Sequence, residues 1–118
     1  MAIDIALYSF DAQTIGTTET DLTSNTTTLQ SRTAVGFFTL CIDCNNMTAT
    51  ERYRFRIYEK ATASSTQRVI QEIELIGTQT TEPIYTTPGL PMGAGWTFTG
   101  QLLQGTARAF SWSVRAVT

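Results

Sequence analysis

The sequence predicts an all-β fold, namely a single antiparallel β-sandwich of seven to nine strands with jelly-roll or immunoglobulin-like topology. Several segments alternate apolar and polar residues with a period of two, which is typical of strands with one buried and one wetted face. No segment shows a convincing 3.6-residue period, and a passage rich in Pro and Gly indicates a crossing between two sheets. The length suits one domain, and we assign residues 1–118 to it.

The N-terminal third predicts one alternating strand, a weak region and a dense strand. Residues 1–10 alternate Ile and Leu with polar or small residues, and we interpret them as an edge strand or an extended arm. Thr14–Thr28 is nearly all Thr, so we expect one or two weak, exposed strands there. Ala34–Asp43 is a near-continuous apolar run, which indicates a central strand covered on both faces.

The clearest pattern, two alternating runs joined by a short polar loop, lies in Arg52–Ile76 and predicts a long hairpin. We expect Arg54 to pair with Glu74. The same register pairs Arg56 with Glu72 and aligns the apolar residues of the opposite face. The second run also has fair helix propensity, but its Val and Ile content favours a strand. Buried apolar residues add about 1.5–3 kcal/mol each, against about 0.2–1 kcal/mol for an exposed charge pair, so the charges mainly select the register.

The C-terminal third predicts a crossing passage followed by two more strands. Gly77–Gly95 contains all three prolines and is expected to hold at most one short strand, around Ile84–Thr86. The last two strands alternate aromatic and polar residues around a turn at Gln104-Gly105. We predict a second hairpin there, with Phe98 and Trp112 paired across its strands.

Composition narrows the classes of function. The net charge is −2 without a basic run, so a nucleic-acid partner is not expected. The N-terminus lacks the features of a signal peptide, and no apolar run approaches the roughly 20 residues of a membrane span. The chain is therefore expected to be made in a cytoplasm. Charged residues are only 15% and Thr is the most used residue, which suggests contact with other protein.

Catalytic chemistry is not expected from this set of residues. The chain has no His, which removes the commonest general base and the Ser-His-Asp type of nucleophile activation. Two carboxylates can act as an acid and base pair. Glu72 and Glu74, about 7 Å apart on one strand face, are the best such pair, but their arginine partners favour ordinary ion pairs. The other carboxylates lie in predicted turns or on polar faces: Asp4, Asp11, Glu19, Asp21, Asp43, Glu51, Glu59 and Glu82.

Two other clusters have a functional and a structural interpretation. The C-x-x-C motif of Cys41 and Cys44 lacks the helix N-terminus of a redox site and supplies two of the four ligands of a structural zinc site. We favour two small thiols, with Cys41 buried and Cys44 in a turn. Trp96, Trp112 and Tyr85 suit either a sugar-stacking platform or the core, and we favour the core because large aromatic residues dominate core burial. No cofactor or metal is expected.

Four motifs in roughly the last two-thirds of the chain carry a family resemblance. They are RFRIYEK at Arg54–Lys60, TQRV at Thr66–Val69, the Gly-rich approach to Trp96, and FSWSVR at Phe110–Arg115. Together they resemble small virion proteins of tailed bacteriophages, especially those of aquatic hosts. The resemblance implies an accessory structural protein without catalytic or metal residues, and we favour a capsid decoration, or cement, protein.

The resemblance also implies partners and a location. The expected partners are the major capsid protein and further copies of the chain, with a trimer favoured. The expected location is the capsid surface of the virion, after synthesis in the bacterial cytoplasm. Two alternatives stay open at this point, a tail- or fibre-associated virion component and a carbohydrate-binding β-sandwich module. The latter requires an exposed Trp96 or Trp112.

Overall fold

Nine strands and no helix make up the regular structure of residues 2–118, the part of the chain that the computed structural model describes. The strands form two antiparallel sheets that pack face to face, so the predicted all-β sandwich is confirmed. Their bounds are β1 Ile3–Ile15, β2 Thr20–Asp21, β3 Gly36–Asp43, β4 Arg52–Lys60, β5 Gln67–Ile76, β6 Ile84–Thr86, β7 Leu90–Met92, β8 Thr97–Gln104 and β9 Arg108–Val117.

The order of the strands selects one of the two predicted topologies. The front sheet runs β1-β9-β3-β6, with β7 also paired to β3, and the back sheet runs β2-β8-β4-β5. Leaving the short β7 aside, the first strand pairs with the last, the second with the next to last, β3 with β6, and β4 with β5. Such nested antiparallel pairs, shared between two sheets, make a double Greek key, which is the jelly roll rather than the immunoglobulin arrangement.

The hairpin of β4 and β5 has the predicted register. Arg54 lies opposite Glu74, and Arg56 lies opposite Glu72. The ion pairs are displaced from this register, because Glu72 contacts the Nε of Arg56 at 2.6 Å and that of Arg54 at 3.6 Å. Glu74 instead contacts the Nε of Arg52 at 3.3 Å. The charges therefore join β4 and β5 along a ladder rather than in separate facing pairs.

The predicted hairpin of the last two strands is wrong. β8 pairs with β2 and β4 in the back sheet, whereas β9 pairs with β1 and β3 in the front sheet. The chain does turn near Gly105, whose φ of 94° suits glycine and where a Cβ would lie only 2.6 Å from the backbone oxygen of Thr50. Strands that face each other across a core show the same alternation as hairpin partners, so the pattern alone did not separate the two. In the sandwich both strands are central and have two neighbours each.

Two further expectations for the connections need correction. The passage Gly77–Gly95 does cross to the front sheet and return, but it holds a second short strand, Leu90–Met92, besides the predicted Ile84–Thr86. Pro91 sits in that strand, which pairs only with β3, as an edge position allows. Thr14–Thr28 holds the predicted weak strand, Thr20–Asp21, but that strand and the two residues after it are buried, whereas the ends of the segment are exposed. Residues 3–10 lie in the edge strand β1, and Met1 lies outside the described residues.

The core between the sheets is aromatic. Trp96 stacks on Phe38 with ring centroids 4.0 Å apart, and Phe110 meets Tyr53 edge-on at 4.7 Å. Phe98 packs against Trp96 rather than against its predicted partner on β9. Pairs of this kind add about 0.5–1.5 kcal/mol each beyond burial, so they contribute strongly to holding the two sheets together.

Candidate interaction surfaces

The predicted carboxylate pair lies on the outer face of the back sheet and is occupied by arginines. Glu72 accepts a hydrogen bond from Arg56, and this bond is the main reason that the pKa of Glu72 lies below its usual value. Glu74 is held by Arg52. The ion-pair interpretation of both residues is therefore confirmed. No group of three His, Cys, Asp or Glu side chains within residues 2–118 is placed to hold a metal ion. No helix in the same range is long and apolar enough to cross a membrane.

The two cysteines are free thiols in opposite environments. Cys44 is fully buried, and burial, helped by the charge of Asp43, raises its pKa to about 12. A thiol with so high a pKa is a poor nucleophile and a poor metal ligand. Cys41 is half-buried and lies on the outer face of the front sheet, opposite Ser113. The prediction that Cys41 is buried is therefore wrong, since it is half-buried. Cys44 does lie at the start of a turn, as predicted, and its carbonyl accepts from the N–H of Met47 at 3.1 Å.

The tryptophans belong to the core, as favoured, and do not form a sugar-stacking platform. Trp96 is fully buried and Trp112 nearly so. Each indole N–H donates to a backbone carbonyl at 2.8 Å, that of Trp96 to Ala34 and that of Trp112 to Leu22. Tyr85 is half-buried and stacks against Phe55. The two indole rings are therefore packed inside the core, and their N–H groups have hydrogen-bond acceptors there.

Asp21 anchors the Thr-rich segment onto the outer face of the back sheet. Its carboxylate, which is buried, accepts four hydrogen bonds. Oδ1 accepts from the N–H of Thr23 at 2.8 Å and from its hydroxyl at 2.6 Å. Oδ2 accepts from the N–H of Gln30 at 2.8 Å and from the hydroxyl of Thr97 at 2.7 Å. Because Thr97 lies 76 residues away, nothing local in the Thr-rich sequence marked this segment as a cover.

Glu19 extends the same cover toward β4. Its Oε2 accepts hydrogen bonds from the hydroxyls of Tyr58 at 2.7 Å and Thr99 at 2.5 Å. Its Oε1 lies 3.9 Å from a guanidinium nitrogen of Arg56. Thr99 is buried beneath it although it points away from the core. The outer face of β8 is thus covered by the chain itself, whereas most of β5 in the same sheet stays exposed, including Ile76 at 65%.

A second buried carboxylate joins the two sheets at one end. Glu51, just before β4, accepts from the Nε of Arg108 on β9 at 2.7 Å and from the N–H of Thr48 at 2.8 Å. The hydroxyl of Thr50 also donates to it. These bonds, that of Thr50 above all, outweigh the effect of burial and lower the pKa of Glu51 to about 2. In the sequence, the bonding of Thr48 to Glu51 could be anticipated from the Thr48-x-x-Glu51 spacing, which is that of a capping box.

The outer face of the front sheet carries an exposed apolar row. Val117 pairs with Ile3 on one side and with Phe37 on the other, and Phe37 also pairs with Pro91. We call these four residues the apolar row. Ile3 is 71% exposed and Phe37 is 54% exposed. The row crosses four strands, about 14 Å at the usual strand spacing. Val35, also exposed, adjoins it.

The apolar row also corrects the prediction for β3. That strand is central, as predicted, but the chain covers only its inner face. Phe38, Leu40 and Ile42 point into the core and are fully buried, whereas Phe37 points outward. The near-continuous apolar run therefore combines a core face with a face that is open in the single chain.

Comparison with known proteins finds no matching family model, no matching curated protein and no matching solved structure. The chemistry of the two outer faces differs. On the back face the glutamates and arginines of β4 and β5 pair with one another, and Asp21 and Glu19 accept hydrogen bonds within the chain. On the front face the apolar row presents uncharged side chains that would gain free energy by leaving water. Of these two faces, the front one is suited to binding another protein surface.

Proposed function

We propose that this chain is a structural component of a bacteriophage virion, a decoration or cement protein that binds and stabilises the assembled head. The observation that carries the proposal is the apolar row on the outer face of the front sheet, which suits docking rather than chemistry. Two further points support it. The phage-like motifs RFRIYEK, TQRV and FSWSVR fall on or next to strands β4, β5 and β9. The jelly roll is an architecture found in viral capsid domains.

A protein of this kind works by contacts, so it needs a rigid body that presents a fixed surface. The ion-pair ladder between β4 and β5 holds one register of the hairpin. The bond between Glu51 and Arg108 ties the back sheet to β9 of the front sheet. We therefore propose a non-enzymatic role, without a cofactor and without a nucleic-acid or membrane partner.

The proposed partners are the major capsid protein and further copies of the chain, as a trimer. The proposed location is the outer surface of the head, after synthesis in the bacterial cytoplasm. A tail- or fibre-associated role is the alternative, because such a component would need the same rigidity and the same kind of docking surface.

Co-sedimentation tests the proposal. Fluorescently labelled chain is mixed with purified heads and, separately, with purified tails of the phage whose genome encodes it. We expect labelled chain to pellet with heads at a fixed ratio, and an excess of unlabelled chain to displace it. We also expect decorated heads to withstand a higher temperature before they release DNA. Binding to tails alone would favour the alternative role, and binding to neither would refute a virion role.

A further inference from the structure

The residues of β3 indicate that its outer face is covered in the working protein. A strand with apolar residues on both faces is typical of a position buried on both sides. Phe38 is fully buried on the inner side, whereas its neighbour Phe37 is 54% exposed on the outer side. Thr and acidic side chains of the chain cover the outer face of β8 in the back sheet, yet the front row is left open. We infer that another surface covers it.

The size of this surface fits the centre of a specific interface. Ile3, Val35 and Phe37 expose between 54% and 76% of their area. With Val117 and Pro91 they present an apolar patch on the order of 500 Å². That is near the upper end of the largest patch on a typical monomer, which is about 300–600 Å². A standard interface buries about 800 Å² on each partner, so this patch would supply its core and leave room for a polar rim.

The chemistry of the patch favours a second copy of this chain as the occupant. None of the five side chains is charged, so the patch can meet its own copy without repulsion. Interfaces between identical subunits are more apolar and poorer in charge than interfaces that open and close. Arg115 on β9 and its partner Thr39 on β3 lie two residues from Val117 and Phe37. They begin a polar rim around the patch. A chain released free into the cytoplasm would also need such a patch covered before it reached any shell.

We propose that the apolar row, with Val35, is the surface through which copies of this chain associate. This deepens the proposed function, since it assigns a surface to the self-association. Face-to-face contact of the patch with its own copy gives a pair, whereas three copies, the expectation that rests on the proposed function, require the patch to lie at a threefold axis. Association itself follows from the patch and does not require a phage.

Light scattering after size exclusion tests the inference over a wide range of concentrations. We expect the unaltered chain to have a mass of two or three times 13.0 kDa, with three if the proposed function is right. Phe37→Lys places a charge at the centre of the row and should raise the apparent dissociation constant at least about 30-fold, as loss of a hot-spot residue does. The variant should then run as a single chain.

Ile84→Lys is the matched control. Ile84 is 57% exposed and lies on the same outer face, at the far end of the sheet opposite Asp43. It should keep the mass of the unaltered chain. Val35→Lys is a second test variant, which is useful if Phe37→Lys does not fold. Because Val35 lies outside the strands, its replacement should leave the fold intact and should also weaken association. Near-ultraviolet circular dichroism establishes that each variant is folded.

The inference is wrong if the unaltered chain stays at 13.0 kDa at every concentration, or if folded Phe37→Lys and Val35→Lys variants keep the associated mass. This outcome is separable from failure of the proposed function. A single chain that still pellets with heads would mean that the shell protein covers the row. An associated chain that binds neither heads nor tails would leave the association standing and remove the virion role.

Discussion

The two outer faces of this sandwich differ in how far the chain itself covers them. In the back sheet the chain covers β8, because Asp21 and Glu19 fasten the Thr-rich segment over that strand. Within residues 2–118 nothing comparable covers Phe37 on the front sheet. On the back face polar side chains such as Thr99 are buried, whereas on the front face a phenyl ring is exposed. Polarity alone therefore does not report exposure here. A surface covered within the chain can be polar, and a surface that the chain leaves open can be apolar.

The largest effect that tests this comparison concerns two neighbouring phenylalanines. Phe38→Ala removes a fully buried ring that stacks on Trp96 and should lower the free energy of unfolding by about 3–5 kcal/mol. Phe37→Ala, on the outer side of the same strand, should lower it by less than about 1 kcal/mol in the dissociated chain. Urea unfolding at low protein concentration measures both values. Equal losses would mean that the outer face already contributes to the single chain.

Replacing Asp21 tests whether the Thr-rich segment over β8 contributes to stability through this carboxylate. Asp21→Ala leaves the buried donors of Thr23, Gln30 and Thr97 without their acceptor, so we expect a loss of about 3 kcal/mol. Asp11→Ala is the control, because Asp11 is exposed on β1, and it should change stability by no more than about 0.5 kcal/mol. Thermal unfolding of the two variants at neutral pH gives the comparison. Similar melting temperatures would show that the cover is not anchored at this carboxylate.

The bond between the two sheets should make stability depend on pH. The pKa of Glu51 is lowered from its ordinary value of 4.5 to about 2. Its contribution is therefore fully present above pH 4.5 and is lost as the pH falls toward 2, since only the unfolded chain takes up the proton in that range. Denaturant unfolding at a series of pH values measures this slope.

Two variants test whether Glu51 causes this dependence of stability on pH. Glu51→Gln should be less stable at neutral pH and should flatten the slope between pH 4.5 and pH 2. Glu82→Gln, at an exposed position, should keep the slope of the unaltered chain. A slope that survives in Glu51→Gln would place its origin in other carboxylates.

The smallest effect is expected in the ladder on the back sheet. Glu72→Gln weakens the bonds to Arg54 and Arg56 on a solvent-exposed face, so the melting temperature should fall by a few degrees at most. About 1 M salt should remove most of the difference between the variant and the unaltered chain. A large loss that salt does not alter would mean that the ladder is shielded from solvent.

Local patterning predicted the parts of the fold whose partners lie close in sequence. The register of Arg54 with Glu74 was predictable because one short loop joins the two strands and both faces agree in it. The partners of β8 and β9 were not, because facing strands and hairpin partners share one alternation. The Leu90–Met92 strand was hidden by Pro91 and its shortness. A local pattern also cannot show the bond between Asp21 and Thr97, which spans 76 residues.

The same limits apply to the surfaces. The apolar run of Ala34–Asp43 correctly indicated a central strand, but it wrongly predicted cover on both faces, because apolar content does not show whether the chain itself supplies that cover. The burial of Trp96 was predictable because large aromatic residues usually fill cores. The apolar row was not, because its members come from four strands and meet only when the jelly roll has formed.

The position of β9 has a consequence for how this protein is made. β9 is a central strand of the front sheet, between β1 and β3, and it joins Val117 to Ile3. The front sheet therefore cannot close until residues 108–117 have left the ribosome, while β1 waits unpaired throughout. Long-range pairing of this kind folds slowly and leaves strand edges open to other chains. Rapid completion of the chain would thus shorten the interval in which β1 is free to pair with a neighbour.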